Sequence, residues 1–440
     1  MTGISVFLIV LVVLIIFIVG IRFILYSKLK LSSKRTVNTL SILENDLGRQ
    51  FRYLELDYMS LNPVLFKKIQ DLPENSSTDN INKAVKKLWE CEEINKSFNI
   101  NQKPYKKVIV TPLIMDFNYR NYDRDFKKEI HYFLRPRKMV VDQTLDLFKG
   151  IFDYYENSKY KLLEIFPFLG INTQNYFTGK EPDYDGGKLL SDVLNKYFSG
   201  FKKTDTAEKR YKNLNNSRKK FIKAGNYANN DSFYFAGIKL YPPLGFDPWP
   251  DKTNNYFEYK KVKMLYKYCI EKNIPITVHC SDGGFQVDKR KIALENTSPE
   301  KWIQVLKKYK DLKINFAHFG IQEREFRNKW GNWLKIILDI LYNNFDDYKN
   351  VYVDLSCIGV NDREYWKLAK VISRYAEANN IDKEEFYKKL NKRLLFGTDF
   401  MVNLFGVRSY KKYLKIFSET KAFSNKENFS TTNPEKFLFG

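Results

Sequence analysis

Histidine and cysteine are scarce in this chain of 440 residues, which has three histidines and four cysteines. None of the cysteines has the spacing of a zinc finger or of a disulfide framework; they are Cys91, Cys269, Cys280 and Cys357. Cys269 and Cys280 fall in or beside apolar runs that predict buried elements. The pattern therefore favours reduced thiols in a cytoplasmic domain over a disulfide-stabilised fold.

Basic residues are absent from the first 21 positions, although the whole chain carries a formal net charge of +23. Residues 4–21 form an apolar stretch of about 18 residues, long enough for most of a bilayer core. Arg22, Lys28, Lys30, Lys34 and Arg35 follow it. Because no basic residue precedes the stretch and no small-x-small site follows it, we expect an uncleaved anchor and not a signal peptide. The positive flank predicts a single-pass membrane protein with its C-terminal domain facing the cytoplasm.

The basic charge has no accompanying arginine and aromatic motif of the kind that binds nucleic acid. Lysine greatly outnumbers arginine, and asparagine, tyrosine, phenylalanine and isoleucine are also abundant. This combination is typical of a compositional bias. A nucleic-acid-binding protein is the competing class, but we expect no specific nucleic-acid partner and instead an attraction to anionic lipid head groups.

Two of the three histidines, and one aspartate, end apolar runs that predict buried strands. The runs cover residues 274–280, 313–320 and 394–399, and they place His279, His318 and Asp399 at their carboxyl ends. Alternation puts Ile276 and Val278 on one strand face and His279 on the other. Either histidine alone could be a hydrogen-bonded core residue, but three such runs in order predict chemistry at the carboxyl edge of a parallel barrel.

A fourth run, residues 235–241, ends with Lys239 and Tyr241 on the face that would point to the barrel axis. A buried lysine needs a carboxylate, a metal-linked role or an anionic ligand. The alternative role for Lys239 is an interior ion pair, for example with Asp354.

Strands and helices alternate along the chain, which predicts an α/β fold of the (β/α)8 TIM-like barrel type. Predicted strands end near Asp116, Leu169, Tyr241, His279, His318, Ser356 and Asp399, one short of eight, and we expect the missing strand between residues 172 and 233. The predicted division is an anchor with its basic flank (1–31), a helical spacer (32–106) and the barrel (107–440). A polar, lysine-rich insertion around 199–230 would be an exposed helix or a mobile flap.

Five segments together resemble the amidohydrolase superfamily, specifically its amidohydrolase-related, decarboxylase-like branch of metal-dependent barrels. They are residues 237–245 (GIKLYPPLG), 275–284 (PITVHCSDGG), 317–320 (AHFG), 395–400 (LFGTDF) and 433–440 (NPEKFLFG). The resemblance extends from about residue 108 to residue 440. It implies that His279 and Asp399 ligate a divalent metal and that His318 binds a second metal or polarises the substrate. It also implies that Lys239 can be carbamylated to bridge two metals.

The first strand departs from this family, whose first strand supplies two ligands as His-x-His. Residues 108–116 read VIVTPLIMD, so Asp116 and the hydroxyl of Thr111 are the nearby donors. His131 cannot be assigned to that strand, and we expect it to be structural or exposed. Two imidazoles with one or two carboxylates would still suit zinc or another first-row divalent ion.

These features predict a membrane-anchored, metal-dependent hydrolase of a small carbonyl substrate such as an amide, ester or lactone. Asp399 and His318 would be catalytic; the metal donors would come from His279, His318, Asp399, Asp116 and Lys239. Tyr241, Ser281 and Asp282 border the expected mouth and would contact the small-molecule substrate. The alternatives are a non-catalytic degenerate barrel, which binds or scaffolds, and a metal-dependent decarboxylase.

Overall fold

The structure is a computed structural model that describes residues 98–100, 103–105, 108–116, 140–157, 163–228, 230–284, 286, 288–322, 331–399, 407 and 410–440. The predicted anchor, most of the predicted spacer, Cys91 and His131 lie outside these residues. Among the residues that are described, no helix is both long enough and apolar enough to cross a membrane.

Ten strands are present in the described part of the chain. They are β1 (Phe98–Ile100), β2 (Lys103–Tyr105), β3 (Val108–Val110), β4 (Leu163–Ile165), β5 (Phe168–Gly170), β6 (Gly237–Leu240), β7 (Ile276–Ser281), β8 (Ile314–Ile321), β9 (Val351–Asp354) and β10 (Leu394–Leu395). Strands β1 and β2 pair antiparallel, so the end of the predicted helical spacer that is described is a β-ribbon and not a helix. Pro104 is compatible with this ribbon because proline is tolerated on an edge strand.

The remaining strands pair in parallel, which confirms the α/β class. Strands β5 to β10 form one six-stranded sheet whose neighbours follow chain order, as in a (β/α)8 barrel. Strand β3 pairs with β4, and a parallel bridge between Leu113 and Phe168 continues this pairing towards β5. The carboxyl ends of all these strands therefore lie at one edge.

The prediction of an additional strand between residues 172 and 233 is wrong. Strand β5 pairs directly with β6, with Gly170 opposite Lys239, so no place between them is left for another strand. The intervening residues that are described form two helices, two short 3-10 turns and one isolated bridge between Phe177 and Leu189. This segment is rich in lysine and asparagine and has no run of β-branched residues that would favour a strand.

Twelve helices are present in the described residues. They are α1 (Val140–Asn157), α2 (Leu190–Phe198), α3 (Ala207–Lys223), α4 (Tyr256–Lys272), α5 (Arg290–Thr297), α6 (Pro299–Lys308), α7 (Asn332–Tyr342), α8 (Asp362–Ala378), α9 (Lys383–Leu390), α10 (Tyr410–Glu419), α11 (Lys426–Ser430) and α12 (Thr432–Leu438). Side-chain caps define several starts: Asn361 accepts from the Glu364 N–H of α8, and Asp382 accepts from the Glu385 N–H of α9.

The polar insertion around residues 199–230 contains helix α3, which packs against the rest of the molecule. Leu214 and Phe221 are buried, and the Phe221 ring meets Phe148 of α1 edge to face at 5.0 Å. Phe148 also stacks on Phe233 at 4.1 Å. The aromatic core beneath the sheet therefore includes one face of this insertion.

Candidate functional site

Four predicted site residues meet at the carboxyl edge of the sheet. The ring of Tyr241, which follows β6, stacks on His279 of β7 with centroids 4.3 Å apart and an interplanar angle of 14°. The ring of His279 meets that of His318 of β8 edge to face at 5.1 Å. The Lys239 Nζ lies 5.4 Å from the Tyr241 ring centroid. Residues from three neighbouring strands thus form one cluster.

A backbone irregularity in β8 sets the position of His318. Strand β7 pairs His279 with Ala317 and then Ser281 with Ile321, so β8 has extra residues at this point. His318, Phe319 and Gly320 have positive φ angles of 63°, 50° and 70°. Side chains other than glycine rarely adopt this conformation, and such strain is concentrated at functional sites. The bulge turns the His318 side chain towards the next strand, as bulges do elsewhere.

Asp354 and Ser356, which follow β9, orient the His318 ring. The Ser356 hydroxyl donates to Asp354 Oδ1 and lies 2.9 Å from His318 Nδ1. The His318 backbone N–H donates to the same Asp354 oxygen at 3.0 Å. Since the Ser356 proton is directed to the carboxylate, its oxygen accepts from Nδ1–H of His318. We infer that Nε2 of a neutral His318 is the unprotonated nitrogen.

His279 is held by the loop that follows its own strand. Its Nε2 lies 3.1 Å from the Gly283 carbonyl oxygen and 3.1 Å from the Ser281 hydroxyl. A carbonyl can only accept, so Nε2 carries a proton and Nδ1 is the unprotonated nitrogen. Burial, followed by the charges of His318 and Lys239, lowers the pKa of His279 well below its ordinary value. His279 is therefore a neutral imidazole at neutral pH.

Asp399 completes the cluster from the end of β10. Its backbone has a positive φ of 50°. Burial raises the pKa of its carboxyl group, while the charges of His318 and Lys239 and a hydrogen bond from Cys357 act in the opposite direction. Gly397 lies against Ser356 and the Asp354 carboxyl group, where a Cβ would come within 2.9 Å of the Ser356 Cβ. The small residue at 397 therefore allows β10 to approach β9.

Among the described residues, Lys239 does not form the interior ion pair considered as its alternative role. No described residue accepts a hydrogen bond from its ammonium group or lies within salt-bridge distance, although only 4% of the residue is exposed. Burial lowers its pKa to about 8, and the negative charges of Asp354, Asp399 and Cys280 oppose that shift. The carboxylates of Asp354 and Asp399 therefore act electrostatically on the Lys239 ammonium without contacting Nζ.

Asp116 is held apart from this cluster. Its Oδ2 accepts from the Asn172 N–H at 2.8 Å, and its Oδ1 accepts from the Asn175 side-chain amide at 2.7 Å. Burial raises its pKa to about 7 despite these hydrogen bonds and the charge of Lys188. The carboxyl group thus links the end of the first strand to the segment after β5.

The predicted substrate contacts differ in exposure. Asp282 is buried, whereas Ser281 is partly exposed. The loop crosses the cluster so closely that a Cβ at Gly284 would lie 3.1 Å from His279 Nε2 and would collide with the Tyr241 hydroxyl. Their contact with a substrate remains a prediction.

The donors present do not fit the predicted metal shell. Within the described ranges, no group of three or more histidine, cysteine, aspartate or glutamate side chains could hold a metal ion. Asp116 is bound to amide groups, and Nε2 of His279 is directed to a carbonyl. The first strand offers Pro112 and Ile114, both buried, where the family has histidines.

Sequence reasoning missed the hydrogen-bond chain from Asp354 through Ser356 to His318. The signal was present, because Asp354 and Ser356 share one strand parity at the end of an apolar run, as His279 and Asp399 do on their own strands. Cys357, with a φ of 59°, follows directly; it is not part of a disulfide, and its side chain forms a hydrogen bond with Asp399.

Solved structures similar to this chain include TIM-barrel and amidohydrolase-type proteins. An uncharacterised TIM-barrel protein from Bordetella bronchiseptica is 15% identical, with 75% of this chain and 98% of that chain covered and a TM-score of 0.33. A probable 2-pyrone-4,6-dicarboxylic acid hydrolase from Acinetobacter baumannii is 14% identical over 76% and 99% of the two chains, with a TM-score of 0.34. A 5-carboxyvanillate decarboxylase from Sphingomonas paucimobilis is 9% identical over 68% and 72%, with a TM-score of 0.33. No curated protein sequence matches the chain.

The sequence itself matches a family model over nearly all of the segment that carries the cluster. The model is that of the amidohydrolase family, and it aligns with residues 228–439. This range begins just before β6 and contains Lys239, Tyr241, His279, His318 and Asp399. The part of the chain that forms the site therefore belongs to the amidohydrolase-related family.

Proposed function

We propose that this chain is a hydrolase that acts on a small amide, ester or lactone at the carboxyl edge of its sheet. The observation that carries the proposal is the Asp354–Ser356–His318 hydrogen-bond chain, which fixes one imidazole beside the Asp399 carboxyl group. Groups held in this way are preorganised to orient a water molecule and to transfer its proton.

The proposed reaction uses Asp399 as the base and His318 as the group that orients the attacking water, since Nε2 of His318 carries no proton and accepts a hydrogen bond from it. Asp399 takes a proton from water as the water oxygen attacks the carbonyl carbon. The negative charge that develops on the carbonyl oxygen is stabilised by the nearby Lys239 ammonium. The protonated Asp399 then gives its proton to the leaving nitrogen or oxygen. Burial raises the pKa of Asp399 and so brings this base nearer to the working pH.

A zinc-dependent form of this hydrolysis would need His279, His318, Asp399 and Asp116 to approach one point. Their described arrangement does not favour it, so the acid–base form is preferred. We also propose that the domain is anchored to a membrane through residues 4–21, a proposal supported by the apolar stretch and its basic flank alone.

The test is a panel of small amides, esters and lactones with the purified chain and two matched variants. Asp399→Asn should lower kcat by about 10² to 10⁴, the usual contribution of a positioned general base. Asp347→Asn removes an exposed carboxylate that pairs with Lys310, and it should leave kcat unchanged. Chelator treatment and elemental analysis accompany the assay. If the purified chain contains a stoichiometric metal and loses its activity when the chelator removes that metal, the acid–base mechanism is contradicted and the metal-dependent mechanism is preferred.

A non-catalytic barrel is the second candidate, and two contacts favour it. The Asp116 carboxyl group is satisfied by Asn172 and Asn175, and Nε2 of His279 is satisfied by Gly283. Saturable binding of a carbonyl compound without turnover, equal in wild type and Asp399→Asn, would select this candidate.

A further inference from the structure

Four lysines of the described chain are buried, and Lys239 differs from the other three. Lys261 pairs with Glu258 at 2.8 Å, Lys313 donates to the Gly440 carbonyl, and Lys426 donates to the Ser418 carbonyl. Lys239 has no acceptor among the described residues. A buried ammonium is costly unless it is paired, so burial at this position shifts the equilibrium towards the neutral amine.

The surroundings of Lys239 suit a reacting amine. The nitrogen lies over the Tyr241 ring, and the charges of Asp354 and Asp399 act on it without a direct contact. His318 and Asp399 are both partly exposed, so the cluster is open to solvent on their side. Their side chains can give and take protons next to the amine.

We propose that the Lys239 amine condenses with the carbonyl carbon of a small aldehyde or ketone to form an imine. This inference rests on the proposed function only in that the same edge binds a small carbonyl compound. The activity itself differs from hydrolysis, because the bond formed joins the ligand to the protein.

The step balances without an oxidant, a reductant or a metal. The amine lone pair attacks the carbonyl carbon to give a carbinolamine, with one proton moving from nitrogen to oxygen. A proton from the Asp399 carboxyl group then converts the hydroxyl into leaving water, and the C=N bond forms. The resulting iminium charge lies near the Asp354 and Asp399 carboxylates. An iminium withdraws electrons from the adjacent carbon, as in amine-catalysed loss of CO2 or of a proton.

The lowered pKa of Lys239 is consistent with this reactivity. Because burial brings the pKa to about 8 from 10.5, the neutral fraction at pH 7 is larger by roughly a few hundredfold. The pKa of Lys313 falls to about 7 for the same reason, but this residue immediately precedes β8 at the opposite edge of the sheet. The two lysines therefore separate the effect of basicity from that of position.

The experiment traps the imine by reduction. The full chain is incubated at pH 7 with millimolar glyoxylate or pyruvate and sodium cyanoborohydride, in buffer free of CO2 so that no carbamate blocks the amine. Peptide mass spectrometry then measures the rate of label at each lysine. We expect the first equivalent of label on Lys239. Its rate should exceed that on exposed lysines by at least about tenfold because its pKa is lower, and it should exceed that on Lys313 because Lys313 lies at the opposite edge of the sheet.

Two variants complete the design. Lys239→Met should abolish the fast incorporation of the first equivalent of label, and Lys313→Met should retain it. If Lys239→Met does not fold, the site-resolved rates in the unaltered chain decide the question. Label on Lys239 that is no faster than on exposed lysines overturns the proposal. Hydrolysis is assayed on the same preparation, so that fast labelling without hydrolysis overturns the proposed hydrolase alone, and hydrolysis without fast labelling overturns the imine alone.

Discussion

At the residue scale, the site depends on which nitrogen of each imidazole carries a proton. Nδ1 of His318 donates towards Ser356, and Nε2 of His279 donates towards Gly283, so the two rings present opposite nitrogens. The two hydrogen bonds have different origins. One comes from a neighbouring strand, and the other comes from the loop that follows the residue's own strand.

Ser356→Ala should release the His318 ring from its single tautomer. The Ser356 oxygen, which accepts from Nδ1–H, is lost, and we expect the ¹⁵N spectrum of His318 to change from one tautomer towards an exchanging mixture. Activity should fall by about tenfold to a hundredfold, as for other groups that orient a functional histidine. Because the chain has three histidines, their resonances can be assigned with one variant each. Ser430→Ala, which removes a hydroxyl bonded within a helix, is the control; an unchanged His318 spectrum in Ser356→Ala would contradict the tautomer assignment.

Gly284→Ala should destabilise the fold more than the matched change Gly186→Ala. Both glycines have similar positive φ angles, 86° and 84°, so both variants carry a left-handed backbone cost of about 1–2 kcal/mol. A Cβ at residue 284 also collides with the Tyr241 hydroxyl, whereas nothing lies within 4 Å at residue 186. Urea unfolding measures both free energies. Equal losses of stability would show that the loop does not pack on Tyr241 as described.

At the scale of elements, the carboxyl edge is assembled by residues that link one strand to the next. Asp116 joins the end of the first strand to the segment after β5, and Gly170 permits this approach, since a Cβ there would lie 2.4 Å from the Ile114 carbonyl oxygen. Asp354 in the same way joins β8 to β9 through Asn315 and His318. Buried carboxyl groups thus act as connectors between strands.

Asp116 should make stability fall as the pH rises from about 4 to about 7. Its pKa is raised in the folded state, so the folded chain retains the proton while the unfolded chain loses it above the ordinary value of 3.8. Below that value both states are protonated and the group costs nothing. Above a pH of about 7 the loss of folding free energy is complete, and it amounts to roughly 4 kcal/mol at most.

The measurement compares wild type with Asp116→Asn by urea unfolding at pH 4.5 and pH 8. The variant cannot ionise, so its stability relative to wild type should be greater at pH 8 than at pH 4.5. A difference between the two proteins that is the same at both pH values would show that Asp116 is ionised in the fold.

At the scale of the whole molecule, the sequence predicts an anchor that holds the described domain at a membrane. We expect Met1 outside and Gly440 in the cytoplasm, because the basic flank follows the apolar stretch. Reporters fused to Gly440 measure this orientation, and one that is active only outside the cytoplasm would refute it. Deletion of residues 1–34 should release a folded soluble protein, and a chain that still sediments with membranes after washing at high salt would show a second attachment.

Some elements could be predicted from the sequence because their physics is local. The alternation of helices with strands is one example, since amphipathic periodicity and caps such as Asn361 of α8 and Asp382 of α9 act within a few turns. The strand parities that place Lys239 and Tyr241 on one face, and His279 beside them, follow from the two-residue repeat of a strand. The direct pairing of β5 with β6, which leaves no place for another strand, could not be predicted, because strand pairing joins residues far apart in sequence.

The sequence by itself determined the parallel α/β class and the strands that end in Lys239, His279, His318 and Asp399. Tertiary structure alone decided where those side chains are directed. The bulge at 318–320 turns one histidine to Ser356, the 281–284 loop holds the other, and amide groups keep Asp116 away from both. These outcomes depend on contacts between separate strands and on backbone angles that periodicity does not encode. For this reason the described residues form a hydrogen-bonded polar cluster, whereas their order in the sequence predicts a metal shell.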